Sequence, residues 1–487
     1  YQNGVKLKPT TDYTVSSTTL TLISAASLND VINIVSFDIF AVPDTVPAST
    51  GGTFSGTIAA AGYSSSTAGT SNYIAGVNAG NSITAGGNYN VTVGDEAGTA
   101  ITTGDSNTAV GFEALATEDT ASRNTAIGFR SLKTNNGGDN NTAVGENSGT
   151  AVTTGHNNTL IGQDAGEALT DADYNTALGS DALQSDTLGS KSTAVGAAAL
   201  STQNFTSATD SHNTAVGYEA GKAVTTGQYN TLVGSLTGDA MTTGENNVAM
   251  GQDALTTNVA GDNVVAIGNE AAQLLNPSGN VDMNGVYIGY QAGDEVTTGR
   301  HNTVIGALTA NALTTGSNNL LLGTTAGNAD QPGGSISTGG GQIVLGNASS
   351  TNAHIQIDWT VASDERDKTD FTALDLGLDF VKELEPVTYK WDKRAKYGND
   401  ISTITHDGTH KEDWLDVGFK AQAVEVLEKA AGYKIADKTN LTTSLTDDGK
   451  QYGLQYSKFV PILVKALQEL SEKNDALESR LAALEAE

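Results

Sequence analysis

A 17-residue spacing runs through the middle of this chain and constrains its fold more than any other feature. Asn-Thr-Ala-Val-Gly or a close variant recurs with its glycine at 94, 111, 128, 145, 162, 179, 196, 217, 234, 251, 268, 289, 306 and 323. Of the 13 steps between these glycines, 11 are 17 residues long and two are 21. The residue before the glycine is aliphatic or Met, as at Val93, Val110, Ile127, Ile161, Val216, Met250 and Ile305. Two residues further back, Thr or Val is usual. Three residues after the glycine stands a small residue, as at Ala97, Ala114, Ser131, Ala165, Ala220 and Ala292. Many repeats then close on Thr-Thr-Gly, as at Thr102-Thr103-Gly104 and Thr297-Thr298-Gly299, which suggests a second short strand.

A unit this short cannot bury an apolar face alone. Stacking successive units puts like residues above one another and builds a continuous ladder core, so the pattern predicts a parallel β-solenoid with one coil per 17 residues. Positions i and i+2 of a strand share a face, so the aliphatic residue before the glycine is expected to be buried. Glycine suits corners with positive φ, and Asn tolerates left-handed backbone there. The two longer steps insert four residues each, at Asn204 to Asp210 and near Asn276 to Asp282. Such insertions are expected as loops at one corner.

Composition agrees with a thin, mainly β architecture. Hydrophobic residues make up 38% of the 487, aromatics only 6%, and 56 residues are Gly, too little apolar mass for one large globular core. A net charge of −30 argues against nucleic acid, whose phosphates need clustered Lys and Arg, and equally against an anionic membrane surface. With no Cys, neither disulfides nor thiolate metal sites are expected, and the reading includes no cofactor and no metal. No apolar run has the length of a membrane-spanning helix, and no signal peptide is visible. The opening residue is Tyr1 rather than Met, which points to further sequence upstream.

Five regions follow from these patterns. Residues 1–45 read as a small β-domain, with a turn at Asn3-Gly4 and alternation through Val5, Leu7, Tyr13, Val15, Leu20 and Leu22, then Val31, Val35, Phe37 and Ile39. Residues 46–70, rich in Ser, Thr, Gly and Ala, read as a linker. The repeat shaft covers 71–330, and a neck covers 331–362, where Gln342 to Gly346 looks like a last rung and His354 to Trp359 alternates like a strand. Residues 363–487 have ordinary globular composition, with a helix expected from Leu374 to Leu384 and further elements over Leu415 to Leu427 and Ser457 to Glu487. Within the last, Val460, Leu463, Leu467, Leu470, Asn474, Leu477, Leu481 and Leu484 follow heptad a and d spacing, giving a coiled coil over 460–487. Lys473 with Glu478, and Arg480 with Glu485, fall at g and e′ and suit parallel chains.

Three resemblances build on these residues. The shaft repeats are similar to the Asn-Ser-Val-Ala-Ile-Gly repeats in the heads of trimeric bacterial adhesins, which form parallel β-rolls. The run from Asn3-Gly4-Val5 through Asp12-Tyr13-Thr14-Val15 to Asn29-Asp30-Val31 resembles small β-domains of phage tail fibres. The block Ser363-Asp364-Glu365-Arg366-Asp367-Lys368 resembles the Ser-Asp-x-Arg-x-Lys motif of the endosialidase-type intramolecular chaperones of phage tail proteins. Three stretches match that family in order: Leu384 to Trp391, Val417 to Val424, and Tyr456 to Ala466. In the second, Ala423 stands where the family more often has Glu.

Together with the repeat pattern, the chaperone resemblance implies a mainly β fold class: a trimeric parallel β-solenoid or β-roll shaft with a small N-terminal β-domain and an α+β C-terminal chaperone domain ending in a trimeric coiled coil. It also implies self-cleavage of the Ala362–Ser363 bond, with Ser363 as nucleophile, Lys368 as general base, and Asp364 and Arg366 as supporting groups. Such a base must be neutral part of the time, against an ordinary lysine pKa of about 10.4. Five residues do not separate neighbours on one helix face, so the pair needs a turn, or Lys368 from another chain. Implied partners are two further copies in a homotrimer, phage tail or baseplate proteins at the N-terminal region, and a host-surface glycan or protein as receptor. The implied place is the virion, after assembly in the host cytoplasm. Competing readings are a cell-surface adhesin, a polysaccharide-degrading tailspike with sugar-stacking aromatics among Tyr174, Phe205, Tyr218, Tyr229, Tyr287 and Tyr290, and a membrane-tethered regulator. His406 and His410 suit a loop, and His156, His212 and His301 suit solenoid corners better than metal ligation.

Overall fold

The computed structural model describes residues 13–16, 19–22, 67–328, 334–356, 359–397, 404–446 and 448–486. Two compact units make up the chain, residues 1–63 and 64–487. In the first, Tyr13–Ser16 and Thr19–Leu22 form an antiparallel pair. The expected turn at Asn3-Gly4, the alternation from Val31 to Ile39 and residues 46–66 of the linker lie outside the described residues.

The second unit is dominated by a parallel β-solenoid. One strand per coil joins a sixteen-stranded parallel sheet that runs from Tyr73–Ala75 to Ile343–Leu345. Equivalent positions stack, as Thr108 on Thr125 and Val110 on Ile127. The last rung expected at Gln342 to Gly346 is present, and Tyr73–Ala75 adds one before the first counted repeat.

The face that is buried is opposite to the one expected. The middle residue of each strand points inward: Ala109, Ala126, Leu160, Leu232 and Val304 are fully buried. The aliphatic residue before the glycine points outward, and Ile127 is 39% and Met250 41% exposed. Strand periodicity is two, so a reading displaced by one residue exchanges every side chain between faces. The interior is too narrow for a large residue on every wall. Where the strand offers Leu160, the opposite wall offers Gly149 and Gly166, and a Cβ on either would stand 2.7 or 2.8 Å from Leu160 methyl carbons. Where the strand offers Ala126 or Ala177, Leu132 or Leu183 fills the space.

The corners also differ in detail. The Asn of each Asn-Thr pair is buried rather than left-handed. Asn107 donates from Nδ2 to the Ala121 carbonyl at 2.9 Å, and its Oδ1 accepts from Asn124 N at 2.9 Å. Stacked over the coils, this satisfies inward backbone groups that no strand reaches. The residue before the Asn takes the positive φ, as at Ser106 (62°) and Asn157 (59°). The repeat glycine needs its freedom for a second reason: Gly162 has φ 140°, and a Cβ there would meet the Gly179 carbonyl oxygen at 2.3 Å. After the glycine comes a run of turns rather than the expected second strand. Its backbone still bonds coil to coil, with Gly98 N to Ala114 O at 2.9 Å and Thr102 N to Asp119 O at 2.8 Å.

Both insertions partly pair as strands instead of forming free loops, the first in a separate two-stranded sheet and the second by lengthening a rung of the main sheet. Thr209–Asp210 pairs in parallel with Gly189–Ser190, while Phe205 is buried. Val281–Ile288 pairs with Gly261–Ile267, and Tyr287 is fully buried. Phe205 and Tyr287 therefore cannot serve as sugar-stacking surfaces, whereas Tyr174, Tyr218, Tyr229 and Tyr290 are exposed. Residues 204 and 206–208, with 278–280, are the exposed tips. No strand forms over the described part of the His354 to Trp359 stretch.

Two coils carry fully buried acids, Glu118 and Asp186. Glu118 is fully buried, accepts a hydrogen bond from Ala121 N at 2.5 Å and another from Asn135 Nδ2, and burial pushes its pKa up to about 7. A carboxyl that holds its proton more tightly when folded stabilises the fold fully below its unfolded pKa, near 4.5, and loses that contribution as pH rises to about 7. Shaft stability should fall by up to about 3 kcal/mol across that window. Thermal melts of Glu118→Gln between pH 5 and 8 should be flatter than wild type.

Candidate active site

Among the described residues, the segment after the solenoid carries three α-helices, short 3₁₀ turns and two antiparallel strand pairs. Helix α1 is Leu378–Glu383, α2 is Ala421–Ala430 and α3 is Phe459–Glu485. Helix α1 is shorter than the Leu374 to Leu384 reading. It packs on α3; Leu378 is buried, as are Phe459, Ile462 and Ala466 of α3. Glu469 of α3 accepts from Leu378 N at 2.8 Å, satisfying an unpaired donor at the start of α1. In α2, the carboxylate of fully buried Glu428 accepts from Thr442 Oγ1 at 2.8 Å and from Thr443 Oγ1, tying the helix to the Thr443–Leu445 strand.

The three stretches singled out in sequence meet in space. Val387–Tyr389 pairs antiparallel with Asp416–Gly418. Phe419 then stacks on Tyr456 and Phe459, with ring centroids 6.2 and 5.4 Å apart. Tyr456 Oη accepts from Phe419 N at 3.1 Å. Asp416, which sequence reading passed over, accepts from Trp391 Nε1 at 3.1 Å. Its sequence signal is weak, a lone Asp before Val-Gly-Phe.

Ser363 and Lys368 are brought together within one chain. A 3₁₀ turn over Glu365–Asp367 separates them. Asp364 starts it by accepting from Arg366 N at 2.9 Å, and the Lys368 N–H closes it on Glu365 O at 3.1 Å. The turn folds the chain back so that Lys368 Nζ reaches Ser363 Oγ at 2.5 Å and Ser363 O at 3.2 Å. Of the two arrangements that the five-residue spacing left open, the single chain contains the turn. Arg366 faces Asp364 through a 2.6 Å ion pair, and this guanidinium holds the Asp364 carboxyl below the usual carboxylate range. Asp364 and Arg366 therefore shape the turn and do not touch the serine hydroxyl. Ala362 and the whole of 363–368 are exposed in the single chain.

The histidines stand elsewhere. His406 lies 3.4 Å from Asp392, and His410 packs edge-on to Tyr397 at 4.7 Å. His212 stacks on Tyr229 at a solenoid corner, with ring centroids 5.5 Å apart. His156 Nδ1 accepts from Asp139 N at 2.9 Å.

Residues 363–433 match the family described as chaperone of endosialidase. The chain carries a chaperone-of-endosialidase domain. The match begins at Ser363, the first residue of the Ser–Lys turn, and the family implies a self-cleaving peptidase activity for the domain. No curated protein and no solved structure matches the chain. The domain follows a parallel β-solenoid, a combination that fits a tailspike-like or endosialidase-like fibre.

Proposed function

We propose that this chain is a subunit of a homotrimeric phage tail fibre or spike that attaches the virion to its host. Its chaperone domain aligns three chains, directs folding of the shaft, and then cuts itself off at Ala362–Ser363. The observation that carries the cleavage is the 2.5 Å approach of Lys368 Nζ to Ser363 Oγ at the first residue of the family match.

The chemistry balances with water as the only co-reactant. Neutral Lys368 takes the hydroxyl proton as Ser363 Oγ attacks the carbonyl carbon of Ala362. The C–N bond breaks, the Ser363 amine leaves with a proton from Lys368, and Ala362 is held as an ester on Oγ. Water, deprotonated by Lys368, then hydrolyses the ester. The products are a carboxylate at Ala362 and a free amine at Ser363. Asp364 and Arg366 hold the turn in which this happens.

The trimer reading is supported by α3. In a single chain its heptad residues face solvent, with Val460 58% and Leu467 66% exposed. Such a stripe calls for parallel partners. Attachment would use the exposed insertion tips and corner tyrosines, because loops on a rigid scaffold commonly carry binding. Tail or baseplate proteins would be met by the N-terminal region.

Mass spectrometry of purified wild-type protein should show residues 1–362 and 363–487 as separate species, and light scattering should give a trimer. A trimer that stays uncut, or a cut at another bond, refutes the assigned mechanism.

A further inference from the structure

We infer that the outer face of the solenoid sheet is the surface on which the three shafts pack, rung against identical rung, and that it holds them together after the chaperone domain has gone. This rests on the trimer reading above and adds what keeps the shaft assembled without its coiled coil.

The observation is the reversed burial of the strands. Each of the sixteen three-residue rungs turns its first and third side chains away from its own core. None of those thirty-two positions carries a charge, in a chain where 16% of residues are charged and about five would be expected. The third position is apolar in every rung, from Ala75 to Leu345. Phe112 and Phe129, stacked at 5.6 Å just beyond their glycines, widen the strip on one side. A solvated sheet face would instead alternate polar side chains outward.

A second copy of this chain is the occupant that fits. Fifteen steps of about 4.8 Å make a strip about 70 Å long, and two side-chain columns make it about 10 Å wide. The resulting face of about 700 Å² on each chain is divided between two neighbours, so the three shafts together take about 2,100 Å² out of water, spread over three pairwise contacts, against the roughly 1,600 Å² total of one standard-size interface. The charge pairs of α3, Lys473 with Glu478 and Arg480 with Glu485, suit parallel chains in register. Parallel chains in register bring equal rungs to equal height, where a ladder of one residue type is complementary to itself. Helix α3 belongs to the released fragment, so after cleavage this face remains the apolar surface able to hold the shafts.

The natural absence of cysteine gives a direct test. Ile161→Cys places one thiol on the proposed face, and Thr154→Cys places one on the Thr-Thr-Gly turn of the coil, which is exposed. Each full-length variant is purified after self-cleavage and treated with a short bismaleimide. The 1–362 fragment of Ile161→Cys should run as a covalent dimer on a denaturing gel, to at most about two-thirds of the material, because one thiol per chain leaves the third copy unlinked. Thr154→Cys should stay monomeric on the gel. If light scattering finds a trimer while Ile161→Cys does not cross-link, or both variants cross-link equally, the interface is overturned and the trimer stands. A monomer by light scattering overturns both. Val195→Cys, on the same column, repeats the test should Ile161→Cys fail to fold.

Discussion

Ser363→Ala should leave a full-length, uncut trimer. Alanine keeps the backbone of the turn, whose bonds run from Asp364 and Glu365, so the domain should still fold and align three chains. It removes the hydroxyl oxygen proposed to receive the Ala362 acyl group, so cleavage should vanish from a denaturing gel. Lys368→Ala should slow the cut by about 10²–10⁴-fold, the usual contribution of a positioned general base. Lys368→Arg should not rescue it, since a guanidinium stays protonated. Arg366→Ala should have a much smaller effect, because its exposed pairing with Asp364 only stiffens the turn. Cleavage of Ser363→Ala at the same bond would show that the nucleophile lies elsewhere.

Leu160→Asp should unfold the shaft locally, at a cost of several kcal/mol, by leaving a charge with no partner in the solenoid core. The neighbouring Ile161→Asp should spare the coil and instead break shaft assembly, because Ile161 faces outward. Circular dichroism melts and light scattering separate the two: loss of strand signal in the first, loss of trimer with strand signal retained in the second. Equal melts for both variants would contradict the observed register. In Leu160→Ala, about 2–5 kcal/mol should be lost through the cavity above Gly149 and Gly166.

A helical chaperone at the end of a solenoid has a kinetic rationale. Parallel strands 17 residues apart must be closed one loop at a time, and in the proposed trimer such similar rungs would let three chains associate out of register. A domain that aligns the chains first removes much of that cost. On the proposed function, its removal would then leave a shaft that cannot easily be reassembled once opened, which is kinetic stability.

Much of this protein was determined by sequence alone. The 17-residue period makes a stacked parallel coil the arrangement in which every short apolar strand is buried. The Ser363 to Lys368 block lies within one turn, so local chain geometry could bring its ends together. Which strand face turns inward was decided only by tertiary structure. Ala-Val and Thr-Val patterns place apolar or neutral residues on both faces, and period two cannot choose between them. The choice came from volume across the coil, where Leu160 needs Gly149 and Gly166 opposite, and Ala126 needs Leu132. That exchange of large for small was present in the sequence, but it couples walls that meet only after the coil closes. The burial of Asn107 has the same origin. Its partners, Ala121 and Asn124, lie 14 and 17 residues away and become neighbours only when one coil sits on the next.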